Sequence, residues 1–214
     1  MLHEEVIEPG TLELLKNLQK ESELKTFNLV GGTSLTLQLG HRKSIDLDLF
    51  TYTEFDLEEL TSMLIAKYNL RVSYARKQTL KGFINEVMID CIRFDYPHLE
   101  SPRTIDGIRL ESIPDIIAMK LSAIAQNGTR IKDYIDIAYL SPLYTLEEML
   151  DFYCRKYPNA NIMMPTKTLT YFNDINFEES VVMINHDFCW EKIADRLMDM
   201  VQNPKKRFKI IRYN

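Results

Sequence analysis

Two carboxylates in an apolar run, Ile45-Asp46-Leu47-Asp48-Leu49-Phe50, follow fifteen positions after a Gly31-Gly32-Thr33-Ser34 turn. This segment most narrows what the chain can fold into. In a β-strand, residues i and i+2 share a face, so Asp46 and Asp48 converge while Ile45, Leu47 and Leu49 face a core. A like-charged pair in such a run is unfavourable unless a cation lies between the two groups. Hard oxygen donors suit Mg²⁺, which takes one or two carboxylates and shares phosphates with a substrate. A double glycine followed by hydroxyl residues offers backbone N–H groups that cradle phosphates. The segment reads as a nucleotide-and-metal site.

The rest of the chain bounds the setting. Its 214 residues are 45% hydrophobic and 27% charged, with 7 Gly and 8 Pro, which is globular composition. No apolar run approaches the ~20 residues of a membrane-spanning helix. Met1-Leu2-His3-Glu4-Glu5 has neither the basic nor the apolar region of a secretory signal. Cys91, Cys154 and Cys189 lack C-x-x-C spacing, which argues against a disulfide framework or a zinc site and for a reducing cytoplasm. The net charge of −5 excludes a protein that grips a long polyanion over its whole surface. Basic clusters are local: 41–43, 71–81, 130–132, and a tail with Lys205, Lys206, Arg207, Lys209 and Arg212 that reads as solvated.

Pattern predicts an α/β (α+β) chain. Helices are expected over 11–24 and 56–68, and strands over 27–30, 45–50 and 71–77. Thr33 or Ser34 is expected to cap a helix ending at Gly40. Lys81-Gly82 reads as a turn before one long strand over 83–94 that carries Asp90. Beyond Pro97 the pattern turns helical: a helix opened by Ile113-Pro114-Asp115, then 134–140, 146–156 and 190–201, with a mixed stretch, helix and loop, starting near Leu169. The expected division is a core over 1–105 with the glycine loop and the Asp-x-Asp strand, and a helical domain over 106–214 that closes the nucleotide site.

Asp90, flanked by Ile89 and Cys91, is the candidate third acid, because two-metal phosphoryl transfer needs bridging carboxylates. Lys120 falls within the apolar face of its helix, so it either meets an anion such as a nucleoside triphosphate or runs its stem to the surface. Asp133 and Asp136, one helical turn apart, either pair with Lys120 or Arg130, cap the helix, or bind metal. His41, His98 and His186 read as surface or loop residues, Cys91 as a small buried hydrophobe, and Trp190, Tyr171 and Phe172 as core. No G-x-S-x-G, P-loop or dinucleotide fingerprint is present.

The order Gly31-Gly32-Thr33-Ser34-Leu35, then His41 to Phe50, then a strand with a lone Asp, then Ala118-Met119-Lys120-Leu121-Ser122 and Arg130-Ile131-Lys132-Asp133-Tyr134-Ile135-Asp136, resembles the AbiEii/AbiGii toxin family. These proteins are nucleotidyltransferase-like members of the DNA polymerase β superfamily. The likeness runs from about residue 27 to 140, with a weaker echo over 168–174. It implies a mixed sheet with flanking helices and a mostly helical second half. It also implies that Gly31, Gly32, Thr33 and Ser34 bind a triphosphate, with Arg42 and Ser44 in support. Asp46 and Asp48 would hold Mg²⁺ (or Mn²⁺), joined by Asp90 as the third acid read from the residues, Lys120 would contact the nucleotide, and Asp133 or Asp136 would complete the helical part. Family members are toxins of toxin–antitoxin or abortive-infection systems, and some add nucleotides to tRNA ends. The resemblance therefore implies an NTP donor, an RNA acceptor and a protein antitoxin encoded nearby. Gly32 stands where many nucleotidyltransferases have Ser. The expected reaction is attack of an acceptor hydroxyl on the α-phosphate, with Asp90 at a metal or taking the acceptor proton. The alternatives are a partner-binding protein without catalysis, or transfer to a protein or small molecule.

Overall fold

The computed structural model describes residues 1–211, so Arg212 of the basic tail lies outside the described residues. The chain forms two compact units, Met1–Pro97 with Ser101–Ser112, and His98–Glu100 with the chain from Ile113 onward.

The first unit is built on a mixed seven-stranded sheet. Its elements are α1 (Pro9–Leu18), β1 (Asn28–Leu29), α2 (Gly31–Leu39), β2 (Leu47–Thr51), α3 (Leu57–Tyr68), β3 (Arg71–Arg76), β4 (Thr79–Ile84), β5 (Val87–Arg93), β6 (Arg103–Ile105) and β7 (Ile108–Leu110). Strand order is β3-β4-β5-β2-β1-β7-β6. β2 runs parallel to β5, β1 runs parallel to β7, and the other neighbours are antiparallel. Pro9 opens α1, where its missing N–H is not needed, and Leu12, Leu14, Leu15 and Leu18 are buried. Asp56 caps α3 by accepting from the Glu58 and Glu59 amides at 3.0 and 2.9 Å, and Asn69 ends it in the left-handed region.

Three tight turns shape the sheet. Lys77-Gln78 and Asn85-Glu86 both sit at positive φ, and Asp106-Gly107 does the same between β6 and β7. Pairs of positive-φ residues match the right-handed twist of the strands they join. Lys81-Gly82 is therefore not a turn, as its composition suggested. It lies inside β4, where a side chain at Gly82 would strike the Arg71 carbonyl. The single strand expected over 83–94 is instead the end of β4, a turn and β5. The β6–β7 hairpin was not anticipated, although Asp-Gly is its usual signal. Arg109 of β7 then ties the unit together, donating to the carbonyls of Gln19, Leu24 and Phe27 at 2.8 to 3.0 Å.

The second unit comprises α4 (Ile113–Gln126), α5 (Ile131–Leu140), α6 (Leu146–Lys156), α7 (Met163–Thr168) and α8 (Trp190–Gln202). α4 packs against α5, α6 and α7, and α5 packs against α8. Thr145 and Glu148 form a reciprocal capping box at the start of α6. A fully buried ion pair joins Lys156 to Asp115 at 2.6 Å, and the Leu99 and Glu100 amides also donate to the Asp115 carboxylate. Phe172, Trp190, Tyr134 and Phe177 meet edge to face. The mixed stretch from Leu169 is turns, and the helix precedes it as α7.

Candidate active site

β2 and β5 are parallel neighbours with Asp48 opposite Asp90. Register partners on adjacent strands project to the same face, so the two carboxylates share one side of the sheet. Leu47, Leu49, Ile89 and Cys91 take the other side and are buried. Burial pushes the Cys91 thiol well above its ordinary range, with the charge of Asp90 adding to the effect. Asp46 directly precedes β2 and is half-buried. Ile45, expected in the core, is 56% exposed, because the strand starts at Leu47 and alternation does not extend back to it.

A residue that sequence reasoning missed completes this face. Lys81 lies opposite Asp90 on β4, and its ammonium pairs with Asp90 Oδ2. Asp90 Oδ1 is buried and has no hydrogen-bond partner among the described residues. A buried acceptor without a donor is rare in folded proteins, and here it belongs to a carboxylate beside a second carboxylate. Carboxylate oxygens of Asp48 and Asp90 on one face are the hard donors that a divalent cation takes, and Asp46 lies one residue ahead of the same strand.

The double glycine forms the first turn of α2. Gly31 has φ +67°, and a Cβ there would overlap Asp48 Oδ2. At Gly32 a Cβ would lie 2.8 Å from Arg42 Nη2 and 3.4 Å from Ser44 Oγ. Only glycine lets the start of this helix close against both charged groups. The N-cap is Val30, in extended conformation, so neither Thr33 nor Ser34 caps the helix as expected. Both are buried one turn inside it. Thr33 Oγ1 lies 2.5 Å from the Asp46 carbonyl and 2.9 Å from Ser44 Oγ, which tethers the segment bearing Asp46. Ser34 Oγ accepts from the Gln38 amide at 3.3 Å. With both hydroxyls turned inward, the groups this turn presents to an anion are the amides of a helix N-terminus. Arg42 is buried and donates from Nη1 to the Lys43 carbonyl at 3.0 Å. His41 beside it lies in the loop between α2 and β2, within the surface-or-loop expectation, and is buried.

In the second unit, Lys120 Nζ lies 2.7 Å from Asp133 Oδ1 and 2.6 Å from Asp136 Oδ2, and all three side chains are buried. Sequence left open whether Lys120 answers to a bound anion or to the acids of α5. The structure brings all three together, with one cation facing two carboxylates. A cavity of about 150 Å³ opens beside them, lined by Asn127, Arg130 and Asp133 among others.

Comparisons with known proteins place the family and the fold. Residues 13–97 and 82–206 match the family model described as nucleotidyl transferase AbiEii toxin, type IV TA system. An uncharacterized protein of Aquifex aeolicus (strain VF5) is 32% identical over 175 residues, which span 79% of this chain and 83% of that protein. The fold is shared with MenT4, a nucleotidyltransferase toxin from Mycobacterium tuberculosis H37Rv (TM-score 0.60, 14% identity, 91% of this chain and 82% of that one). It is also shared with JHP933 from Helicobacter pylori (TM-score 0.56, 21% identity, 92% of each chain). The chain belongs to the AbiEii family of nucleotidyl transferase toxins of type IV toxin–antitoxin systems.

Proposed function

We propose that this protein transfers a nucleoside monophosphate from an NTP to a hydroxyl of an RNA acceptor, tRNA in the first instance, using a divalent cation held by Asp46, Asp48 and Asp90. The observation that carries this reading is the register of Asp48 with Asp90 beside the Gly31-Gly32 turn, with one Asp90 oxygen buried and unsatisfied. When bound, Mg²⁺ or Mn²⁺ would neutralise charge developing on the phosphates and favour the ionised acceptor hydroxyl.

The chain's own groups do the positioning. The first-turn amides of α2, from Gly31 through Thr33, lie ahead of the first intrahelical bond, which Ser34 N–H gives to the Val30 carbonyl at 3.4 Å; they orient the triphosphate, and the buried Arg42 adds positive field at Gly32. The acceptor oxygen forms a bond to the α-phosphorus, the bond to the β-bridging oxygen breaks, and pyrophosphate leaves. Asp90 takes the acceptor proton. Lys81 balances the charge of Asp90 until the site fills. We assign Lys120, held by Asp133 and Asp136, to contact with the nucleotide. Family membership supports an antitoxin protein as partner. No helix of the described residues is long and apolar enough to cross a membrane, and we place the activity in the cytoplasm, where NTP and RNA meet.

The test is incorporation of labelled NTPs into total RNA, separated protein and small-molecule acceptors, by wild type, Asp48→Asn and Asp90→Asn. We expect label in RNA and a loss of about 100-fold or more in each variant, the scale on which removing one electrostatic stabiliser acts. Equal incorporation by Asp48→Asn overturns the reading.

A further inference from the structure

We propose that the exposed face of the β3–β4 hairpin is the platform that receives a single-stranded end of the acceptor RNA; this rests on the RNA-acceptor reading above. The observation is a row of register partners that crosses four strands: Tyr74 opposite Lys81, Lys81 opposite Asp90, and Asp90 opposite Asp48. Partners on adjacent strands share a face, so the ring and the ammonium lie on the same side of the sheet as the carboxylates. At ~5 Å per strand, Tyr74 stands ~10 Å from the Asp90 position. The flanking rows on that side add Arg76 opposite Thr79 and Arg71 opposite Phe83. All six residues of β3 are exposed, and Tyr74 and Phe83 keep 45% and 37% of their surface open.

The charge on this hairpin has one sign. From 71 to 81 the chain has Arg71, Arg76, Lys77 and Lys81 and no acid, although acids outnumber bases 31 to 26 overall. Arg71 has a solvent-exposed partner in Glu86, while Arg76 and Lys77 make no ion pair among the described residues. Edge strands do carry charges that block edge-to-edge pairing. That need, most often met by Lys, does not call for two exposed rings on the carboxylate side. Cations spaced along a strand complement a phosphate backbone, and exposed rings stack on unpaired bases. A duplex offers no free base to such rings, so the occupant is single-stranded.

The test compares wild type with Arg76→Ala/Lys77→Ala and with Tyr74→Ala, all surface changes, after thermal melts confirm that each is folded. Fluorescence anisotropy with a labelled single-stranded oligoribonucleotide is measured across a salt series, alongside binding of Mg·NTP and capture of the purified antitoxin. We expect about tenfold weaker RNA binding in each variant, with a salt slope lower by about 1.4 in the double variant only and NTP affinity unaltered. RNA affinity and salt slope equal to wild type overturn the platform while leaving the RNA-acceptor reading intact. Absence of RNA binding by wild type overturns both. Variants that keep RNA affinity but lose the antitoxin overturn it in favour of a protein-docking face.

Discussion

Glycine has two different jobs in this chain, and they separate cleanly by position. Gly31 combines a left-handed backbone with the Asp48 carboxylate in the space a Cβ needs, whereas Gly10 in α1 has nothing within 4 Å and an ordinary φ. Gly31→Ala is therefore expected to destabilise by about 1–2 kcal/mol from backbone strain alone and to displace Asp48, abolishing Mg·NTP binding in a protein that still folds. Gly10→Ala should be neutral or slightly stabilising. Thermal melts with titration of NTP measure both, and retained NTP affinity in Gly31→Ala removes the close approach from the mechanism. The expected neighbourhood of Asp48 and Asp90 on one sheet face matches the strand register, whereas Asp46 lies ahead of β2, so i, i+2 spacing along a strand does not place its side chain. Lys81 was not legible, because its partnership with Asp90 is fixed by strand register, which depends on where the turns fall. Ile45 was misplaced for a related reason, since an alternating pattern does not mark where a strand begins.

At the scale of elements, α4, α5, α6 and α8 of the second unit were readable from periodicity and caps, with α6 matching its expected span, while the short α7 was not. The strands between 71 and 93 were divided wrongly because both turns are carried by residues other than glycine, Lys77-Gln78 and Asn85-Glu86. A glycine within β4 supplied the misleading cue. The cap of α6 makes a prediction at this scale. Thr145→Ala should destabilise the second unit by about 1 kcal/mol. The Thr145 amide, then its hydroxyl and Arg207, hold the Glu148 carboxyl below its ordinary value of 4.5. A depressed folded-state pKa contributes stability above the ordinary value and loses it as pH falls through the folded value. The stability difference between wild type and Glu148→Gln should accordingly be constant from neutral pH to about 5 and close below the ordinary value of 4.5. A gap that persists at pH 2 in urea-unfolding curves would show that the carboxylate charge is not what the cap uses.

For the molecule as a whole, the acidic balance and the carboxylate face point the same way. A chain of net charge −5 sets Asp48 opposite Asp90 in its first unit, with Lys81 paired to Asp90. On the proposed reading, a cation that enters with NTP binds at these carboxylates and only to the folded state, so ligand affinity must appear as stability. At 100 times its dissociation constant a ligand adds about 2.7 kcal/mol, which for a chain of this length raises an apparent Tm by about 5–10 °C. Mg²⁺ with a non-hydrolysable NTP should produce that rise in wild type. Excess chelator should cancel it, and Asp46→Asn with Asp48→Asn should not show it. Differential scanning fluorimetry over a ligand series reads the effect directly. A rise of the same size in the double variant would mean that the nucleotide binds elsewhere on the chain and that these acids serve another purpose.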